Sequence, residues 1–460
     1  MTTSSRIEPR ERRVPYPRKW GLRAGDAYTF LALNAVVIGL MWLRHGGLHQ
    51  FSTTAGTFTA VGQLAALYGT LLALTQLVLA SRSPYLEEVF GTERLMWLHR
   101  WGGFATVWLL VGHFVLVTIG YGIGDGSGPT AELVTFLTVY PFVLWSFVAL
   151  VIFVVVAVMS VRRARRALPY ETWYGIHLLL YVAIALAFLH QFAVGTDFVR
   201  DPVARIYWIG LYVLTIGSIL IWRVGQPLVL SYRHQLRVAN VVEEAPGVVS
   251  IYLTGRDLDR LAIRAGQWLR LSFLTRDGWW RSHPFSISAA PNGKYLRFTV
   301  KALGDYTRRI QHMPVGTPVL AEGPYGILTG ARRTKARVLL IAGGIGVTPL
   351  RALLEELPAK PGTLTLIYRA SRPEDLVFRG EIDALARLRG ATVHYLVGRR
   401  GSTEMPHDPF RASALRSLVP DIERCDVFVC GPDSMMSTVH RTLRTLRVPA
   451  SQVHLERFAY

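Results

Sequence analysis

The sequence predicts a multidomain chain: an all-α bundle of six transmembrane helices, then an antiparallel β-barrel, then an α/β domain on a parallel sheet. Three observations over its 460 residues predict this. Long apolar runs are confined to residues 1 to about 225. From about residue 232 the texture changes to short β-rich runs separated by Gly and Pro. Beyond Gly330 strand and helix patterns alternate, which is the pattern of a parallel, doubly wound sheet.

In chain order, residues 1–25 read as a flexible basic arm. Apolar stretches at about 27–43, 60–80, 95–120, 133–160, 173–194 and 203–223 are each near or above the length that crosses hydrocarbon. The first is crowded by Asp26, Asn34 and Arg44, and no small-residue cleavage site follows it, so it reads as a retained helix. The formal net charge is +20. Its arginines and lysines cluster before the first span (Arg10, Arg12, Arg13, Arg18, Lys19, Arg23), after the fourth (Arg162, Arg163, Arg165, Arg166) and after the sixth (Arg223, Arg233). With six spans these clusters share one side, which the positive-inside rule makes cytoplasmic. The chain is thus expected to be a multi-pass protein of the cell membrane in contact with lipid. Its charge is spent on topology, and no basic, aromatic-studded patch calls for a nucleic acid.

Four histidines stand inside these apolar stretches: His99 and His113 in the third, His177 and His190 in the fifth. Fourteen residues on a helix make about four turns and about 21 Å, so His99 and His113 point from nearly one face at two depths. An imidazole in hydrocarbon is costly unless it is hydrogen-bonded or ligates something. Two helices with an upper and a lower histidine each suit two haems stacked across a membrane; four satisfied polar residues in a bundle is the other reading. The 13-residue spacing of the second pair leaves His190 about 140° from the face of His177 on an ideal helix, with no Pro or Gly between them to bend it.

The only cysteines are Cys425 and Cys430, both in the soluble half. That excludes a four-cysteine iron–sulfur cluster in this chain, and without a C-x-x-C-H motif any haem is of the non-covalent b type.

Strands are expected at 235–242, 248–254, 268–274 and 295–301, in a barrel over 230–330. The α/β domain, 331–460, is expected to place strands at 337–342, 364–369 and 425–429 and a helix from about 347. Gly343-Gly344-Ile345-Gly346-Val347-Thr348-Pro349 follows its first strand directly. Glycines there let a backbone approach a pyrophosphate at a helix N-terminus, and they also suit a plain tight turn.

His283-Pro284-Phe285-Ser286-Ile287-Ser288, Glu322-Gly323-Pro324-Tyr325-Gly326, the 343–349 turn and Cys430-Gly431-Pro432 occur in that order. This set resembles the ferredoxin–NADP reductase superfamily, with FAD on the barrel and NAD(P)H on the parallel sheet. With the six spans and the histidine spacings, residues 25–460 resemble the membrane ferric reductase and NADPH oxidase family. The resemblance implies that His283, Pro284, Phe285, Ser286 and Ile287 line the flavin, with a hydroxyl, Ser286, near its N5. Many soluble relatives carry Arg and Tyr where this chain has His283 and Phe285; Arg281 is close enough in sequence to compensate. It further implies that Lys301, Gly304, Asp305, Tyr306 and Thr307 face the FAD pyrophosphate, although Lys301 and Thr307 also read as a strand end and a helix cap. Gly343, Gly344, Gly346, Thr348 and Pro349 would take the NAD(P)H phosphates, and Cys430, Gly431 and Pro432 would lie near the nicotinamide. Arg369 and Arg372 follow the second strand, where a guanidinium can hold a 2′-phosphate; this points to NADPH over NADH, against a reading as solvated loop arginines. An aromatic near the C-terminus, Phe458 or Tyr460, would cover the flavin.

The resemblance implies a flavocytochrome b that moves electrons from cytoplasmic NAD(P)H through FAD and two b-haems to a small-molecule or metal-chelate acceptor outside, oxygen or ferric iron. Topology pairs His99 with His177 on the inner side and His113 with His190 on the outer. Delivery to an external protein or to quinone is the alternative. Arg44, His45, His49 and Arg200 fall in outer loops and suit an acceptor or plain interfacial anchoring.

Overall fold

The structure is a computed structural model that describes residues 22–276, 278–399, 401–402, 405 and 407–457. It divides into a helical unit over Ala24–Arg233 and a mixed unit built on His234–Leu320 and the chain beyond Gly326.

The helical unit supplies six helices long and apolar enough to cross a membrane: Ala24–Arg44, Thr54–Ala80, Pro84–Gly124, Val143–Ser160, Glu171–Val194 and Pro202–His234. At most 22% of the residues in any of their apolar windows are buried, so leucines, valines and tryptophans point outward. That inside-out pattern is what hydrocarbon demands of helices whose backbone bonds are satisfied internally. Polar groups turn inward and tie the spans together. Tyr207 donates to Asn34 Oδ1 at 2.7 Å, Tyr212 to Gln191 Oε1 at 3.0 Å, and Gln191 Nε2 to Thr70 Oγ1 at 3.2 Å.

Two spans depart from the sequence expectation. Instead of one helix over 133–160, the chain forms Pro129–Thr138 and then Val143–Ser160. Pro141 disfavours helical backbone at Tyr140, and Phe142 sits at φ 63°, which breaks the run. The third helix begins far earlier than expected, at Pro84, and is interrupted at Gly91 (φ 69°, ψ 157°), a conformation only glycine takes at little cost. The last span starts at Asp201, whose carboxylate caps Val203 N at 2.8 Å ahead of Pro202.

Among the described residues the chain after Arg233 forms eleven strands: β1 Arg237–Ala245, β2 Val248–Thr254, β3 Trp268–Phe273, β4 His283–Ser286, β5 Leu296–Lys301, β6 Val319–Tyr325, β7 Arg337–Gly343, β8 Leu364–Ala370, β9 Thr392–Val397, β10 Cys425–Cys430 and β11 Val453–Glu456. Over the expected barrel the described residues form two three-stranded sheets, β1-β2-β5 and β4-β3-β6, and not one closed sheet. Isolated bridges, Arg237 with Pro318 and Ile287 with Phe298, join them, and Val319 N donates to the Leu236 carbonyl at 2.9 Å and Ser288 N to that of Arg297 at 2.8 Å along the two seams.

The second half forms a five-stranded parallel sheet in the order β11-β10-β7-β8-β9. Its strands are near-continuous apolar runs because helices cover both faces. Strand order reverses between β7 and β10, which opens a crevice beyond their C-terminal ends.

Candidate functional site

The first site lies among the membrane helices. The rings of His99 and His177 face each other with centroids 5.9 Å apart and planes at 65°. On the same two spans His113 lies within electrostatic range of His190. Of the two pairs expected, ring contact joins His99 to His177. The fifth helix runs unbroken from Tyr170 to Val194.

The second span sets the third. Gly62 lacks a side chain, and a Cβ there would stand 2.7 Å from Val117, so the two helices close tightly. This brings the Gly62 carbonyl to 3.0 Å from His113 Nδ1. Gln76, fourteen residues further along the second span, presents its backbone to His99. The Nδ1 atoms of His99, His177 and His190 are buried without a hydrogen-bond partner. The 5.9 Å between the His99 and His177 ring centres would leave room for one metal between their nitrogens, given metal–nitrogen bonds near 2.0 Å. His113, with Nδ1 on a carbonyl, leaves Nε2 for a metal, the usual arrangement of a ligating histidine. Among the described residues no three His, Cys, Asp or Glu side chains gather to hold a bare metal ion. Two-ligand pairs of this kind fit an iron whose other ligands come from a macrocycle.

The second site is the crevice of the parallel sheet. Gly344 stands at φ 52° with open space where a Cβ would be, so its backbone is accessible to a ligand. Gly346 is needed for a different reason: a Cβ there would lie 2.4 Å from the Cys430 carbonyl oxygen and 2.7 Å from Gly431 Cα. Gly343 packs equally close to Met435 and Pro432. The two motifs, remote in sequence, are thereby pressed together at the ends of β7 and β10. Thr348 spends its hydroxyl on the Ile345 carbonyl at 3.0 Å and, like Pro349, is buried in the helix Val347–Glu356.

Cys430 is fully buried at the end of β10, and loss of solvent, with Glu456 adjoining, pushes its thiol well above the ordinary range. Burial pushes Cys425 up to about 11. Both thiols stay protonated at pH 8, and the thiolate is the nucleophile. Neither cysteine should react with iodoacetamide at pH 8 in the folded protein, by mass spectrometry; rapid labelling of Cys430 would show that the strand end is open.

On the antiparallel side, Ser286 is buried opposite Trp268, and Phe285 is half-buried opposite Leu269. Pro284 is exposed, and Ile287 is fully buried. The His283 ring stacks on Tyr306 at 4.1 Å, and Tyr306 donates to the Arg281 carbonyl at 3.3 Å. Desolvation pushes the Tyr306 phenol up to about 12. Arg281 lies within electrostatic range of Tyr306 and Asp305, and its Nε is buried without a hydrogen-bond partner. Thr307 acts as a cap: its hydroxyl accepts from Leu303 N and Gly304 N, each at 2.9 Å. Lys301 pairs with Asp375 at 3.8 Å.

The two arginines after β8 differ. Arg369 donates to the Leu396 carbonyl at 3.1 Å and to those of Ala370 and Gly398, so it ties the ends of β8 and β9 together. Arg372 is exposed and pairs with Glu374 at 3.3 Å and Asp375 at 3.2 Å. Beyond the end of the first span, His45 Nε2 lies 2.9 Å from Asp201 Oδ2 and Arg44 lies 3.8 Å from it, so both are engaged in a loop tie. Phe458 and Tyr460 lie outside the described residues.

A buried network was missed by sequence reasoning. Arg297, on β5, meets Glu381 at 3.0 Å and the Ser288 carbonyl at 2.6 Å. Arg351 pairs with Glu381 and Glu355, and Glu355 accepts from Ala290 N at 2.8 Å. These charges fix the segment after Ser286 against the helices Val347–Glu356 and Arg379–Arg389. A lone arginine in an apolar strand was the available signal.

Three family models match the chain: the ferric reductase like transmembrane component over residues 64–188, an FAD-binding domain over 235–329 and an oxidoreductase NAD-binding domain over 340–441. The chain is 30% identical over 240 residues to ferredoxin–NADP reductase B of Sorangium cellulosum, which covers 49% of this chain and 97% of that protein. It is 26% identical to the glycine betaine monooxygenase reductase subunit of Chromohalobacter salexigens, covering 49% of this chain and 64% of the relative. A crystal structure of a ferredoxin NADP+ reductase from Neisseria gonorrhoeae with bound FAD and NADP aligns at 19% identity and a TM-score of 0.41, over 49% of this chain and 98% of that one. With a ferric-reductase-like membrane domain joined to FAD- and NAD-binding domains of ferredoxin–NADP reductase type, the chain is an integral membrane NAD(P)H oxidoreductase with the ferric reductase/NADPH oxidase-like architecture.

Proposed function

We propose that this chain carries electrons from cytoplasmic NAD(P)H through FAD and two b-type haems to an acceptor outside, ferric iron or oxygen. The observation that carries the reading is the meeting of His99 with His177 between two membrane helices, with His113 within electrostatic range of His190 on the same pair of helices. Basic residues after the fourth and sixth spans support placing the reductase half and the N-terminus in the cytoplasm.

When bound, flavin converts the two electrons of a hydride into single electrons and haem iron accepts them one at a time. The protein's own work is placement. The Gly344–Gly346 turn offers backbone N–H groups and a helix N-terminus to a pyrophosphate. The Arg281, His283 and Tyr306 group supplies a cation and a stacked aromatic pair beside β4, on the flavin side. Cys430, neutral and dry, lends the nicotinamide end of the crevice an apolar wall without a competing nucleophile. His99 and His177 would hold the inner haem, and His113 and His190 the outer one.

Of the two arginines, Arg372 is the one free to choose NADPH. Its exposed ion pairs are worth about 0–1 kcal/mol, which a bidentate 2′-phosphate can displace. Arg369 is committed to three carbonyls. Arg372→Ala should raise KM for NADPH about tenfold, since a charge-assisted contact is worth about 1.5–3 kcal/mol, and leave KM for NADH unchanged. Equal effects on both cofactors would remove Arg372 from the specificity role.

The test of the whole reading is the dithionite-reduced spectrum of the purified protein, expected to show two b-haems per chain. NADPH and NADH oxidation with superoxide, ferrous-iron and quinol assays in parallel then identifies the acceptor. A protein without haem ends the proposal.

A further inference from the structure

We propose that Trp173 is the positioning residue that aims His177 at His99, and that Arg165, stacked on Trp173, biases the electrostatics of that pair. The inference rests on the haem reading above. Trp173 and His177 are four residues apart on one helix face, where side chains meet. Their rings stack with centroids 5.1 Å apart and planes at 25°. The Arg165 guanidinium lies 4.6 Å from the centre of the Trp173 ring. Trp173 Nε1 donates to Ser160 Oγ at 3.3 Å, which pins the indole to the end of the fourth span. The result is a continuous contact, Arg165 to Trp173 to His177 to His99, that begins in the basic turn after the fourth span and ends at the paired imidazoles.

The two pairs are therefore oriented by different means. His113 is held by the hydrogen bond its Nδ1–H donates to the Gly62 carbonyl, the common device for a ligating histidine. His177 has no such bond: its Nδ1 is buried and unpartnered. What fixes its ring plane is the indole. A side chain that packs on the ligand without touching the metal can still set its orientation, and a 1 Å looseness there is felt at the site. Arg165 adds a fixed cation close to a low-dielectric region, where its field reaches further than in water. Such a charge favours the state of the pair with less positive charge, which is the reduced one. An interfacial anchor is the competing role of a tryptophan at a span end. That role would not distinguish one histidine pair from the other.

The test is a spectroscopic redox titration of the purified, haem-loaded protein, with haem counted per chain. Wild type should resolve two components. Trp173→Ala should shift one component and leave the other in place, or lose that one haem alone. Trp173→Phe, which keeps a ring on His177 but no N–H to Ser160, should restore wild-type behaviour. Arg165→Gln should lower the potential of the same component. If Trp173→Ala matches wild type, if both components move together, or if Trp173→Phe behaves as the alanine variant does, the positioning role is wrong. If Arg165→Gln leaves the component unmoved, the electrostatic bias is wrong. Wild type without two haems overturns the haem reading itself, a separate outcome.

Discussion

His190→Leu is expected to remove one of two b-haems and cut reduction of the external acceptor by at least about 100-fold, while NAD(P)H-driven reduction of a soluble dye by the flavin continues. Losing even an outer-shell partner of a metal ligand typically costs about 10–100-fold, and losing the ligand itself exceeds that. Leucine fills similar space and hydrocarbon tolerates it, so the helix Tyr170–Val194 should persist. His113→Leu should match it, because the two histidines serve one centre. His99→Leu should also stop external reduction, but by removing the other haem. The measurements are haem content by the pyridine method, a difference spectrum and the two activities side by side. If His190→Leu keeps two haems and full external activity, the pairing proposed for the membrane helices does not exist. If dye reduction also disappears, the variant has disturbed the reductase half and the result speaks to folding.

Gly346→Val should raise KM for NAD(P)H more than about tenfold while leaving flavin content intact. The physical cause is local: the added Cβ would lie 2.4 Å from the Cys430 carbonyl oxygen, closer than real atoms approach. The neighbouring atoms are backbone at the end of β10 and cannot swing away, so the Gly343–Gly346 turn must move off Cys430 and Gly431. Overpacking of this kind costs about 1–3 kcal/mol, and a tenfold change in affinity needs only about 1.4 kcal/mol. Gly344→Ala is the informative control. It meets nothing within 4 Å, and its cost comes from φ 52°, about 1 kcal/mol. It should therefore weaken the fold slightly and impede cofactor approach without separating the two motifs. Unchanged NAD(P)H binding in Gly346→Val would place the cofactor elsewhere.

Much of this architecture was legible because periodicity and composition are local properties. Six apolar stretches gave six helices, and the parallel strands at 337–342, 364–369 and 425–429 lie within one residue of β7, β8 and β10. Where local signals competed, reading failed. The apolar run 133–160 concealed the break that Pro141 imposes, and β1, β2, β3 and β5 could be located while β4 and β6 were passed over. β9 was passed over although Thr392–Val397 is rich in β-branched and aromatic residues, and β11 was too short to register.

The site shows the same division. The order of the histidines, the glycine turn and Cys430-Gly431-Pro432 were visible as motifs, because each requires particular residue types at fixed spacing. Which histidines meet, and what each arginine does, were matters of contact. Arg369 and Arg372 look alike in sequence, yet one is consumed by strand-end carbonyls and the other stands exposed among carboxylates. Thr307 and Lys301 read equally as ligands or as ordinary caps and pairs, and their hydroxyl and ammonium are engaged with Gly304 and Asp375.

By itself, then, the amino-acid sequence determined the apolar spans, the side on which their basic flanks gather, the strand–helix alternation and the chemical identity of the donor groups. These follow from hydrophobicity, charge and residue type along the chain. Only the tertiary structure decided that Gly62 brings its carbonyl to His113, that the Trp173 ring stacks on His177, and that Gly346 closes on Cys430. The first and last of these depend on two segments distant in sequence approaching within van der Waals contact, and no local pattern encodes how closely two backbones pack.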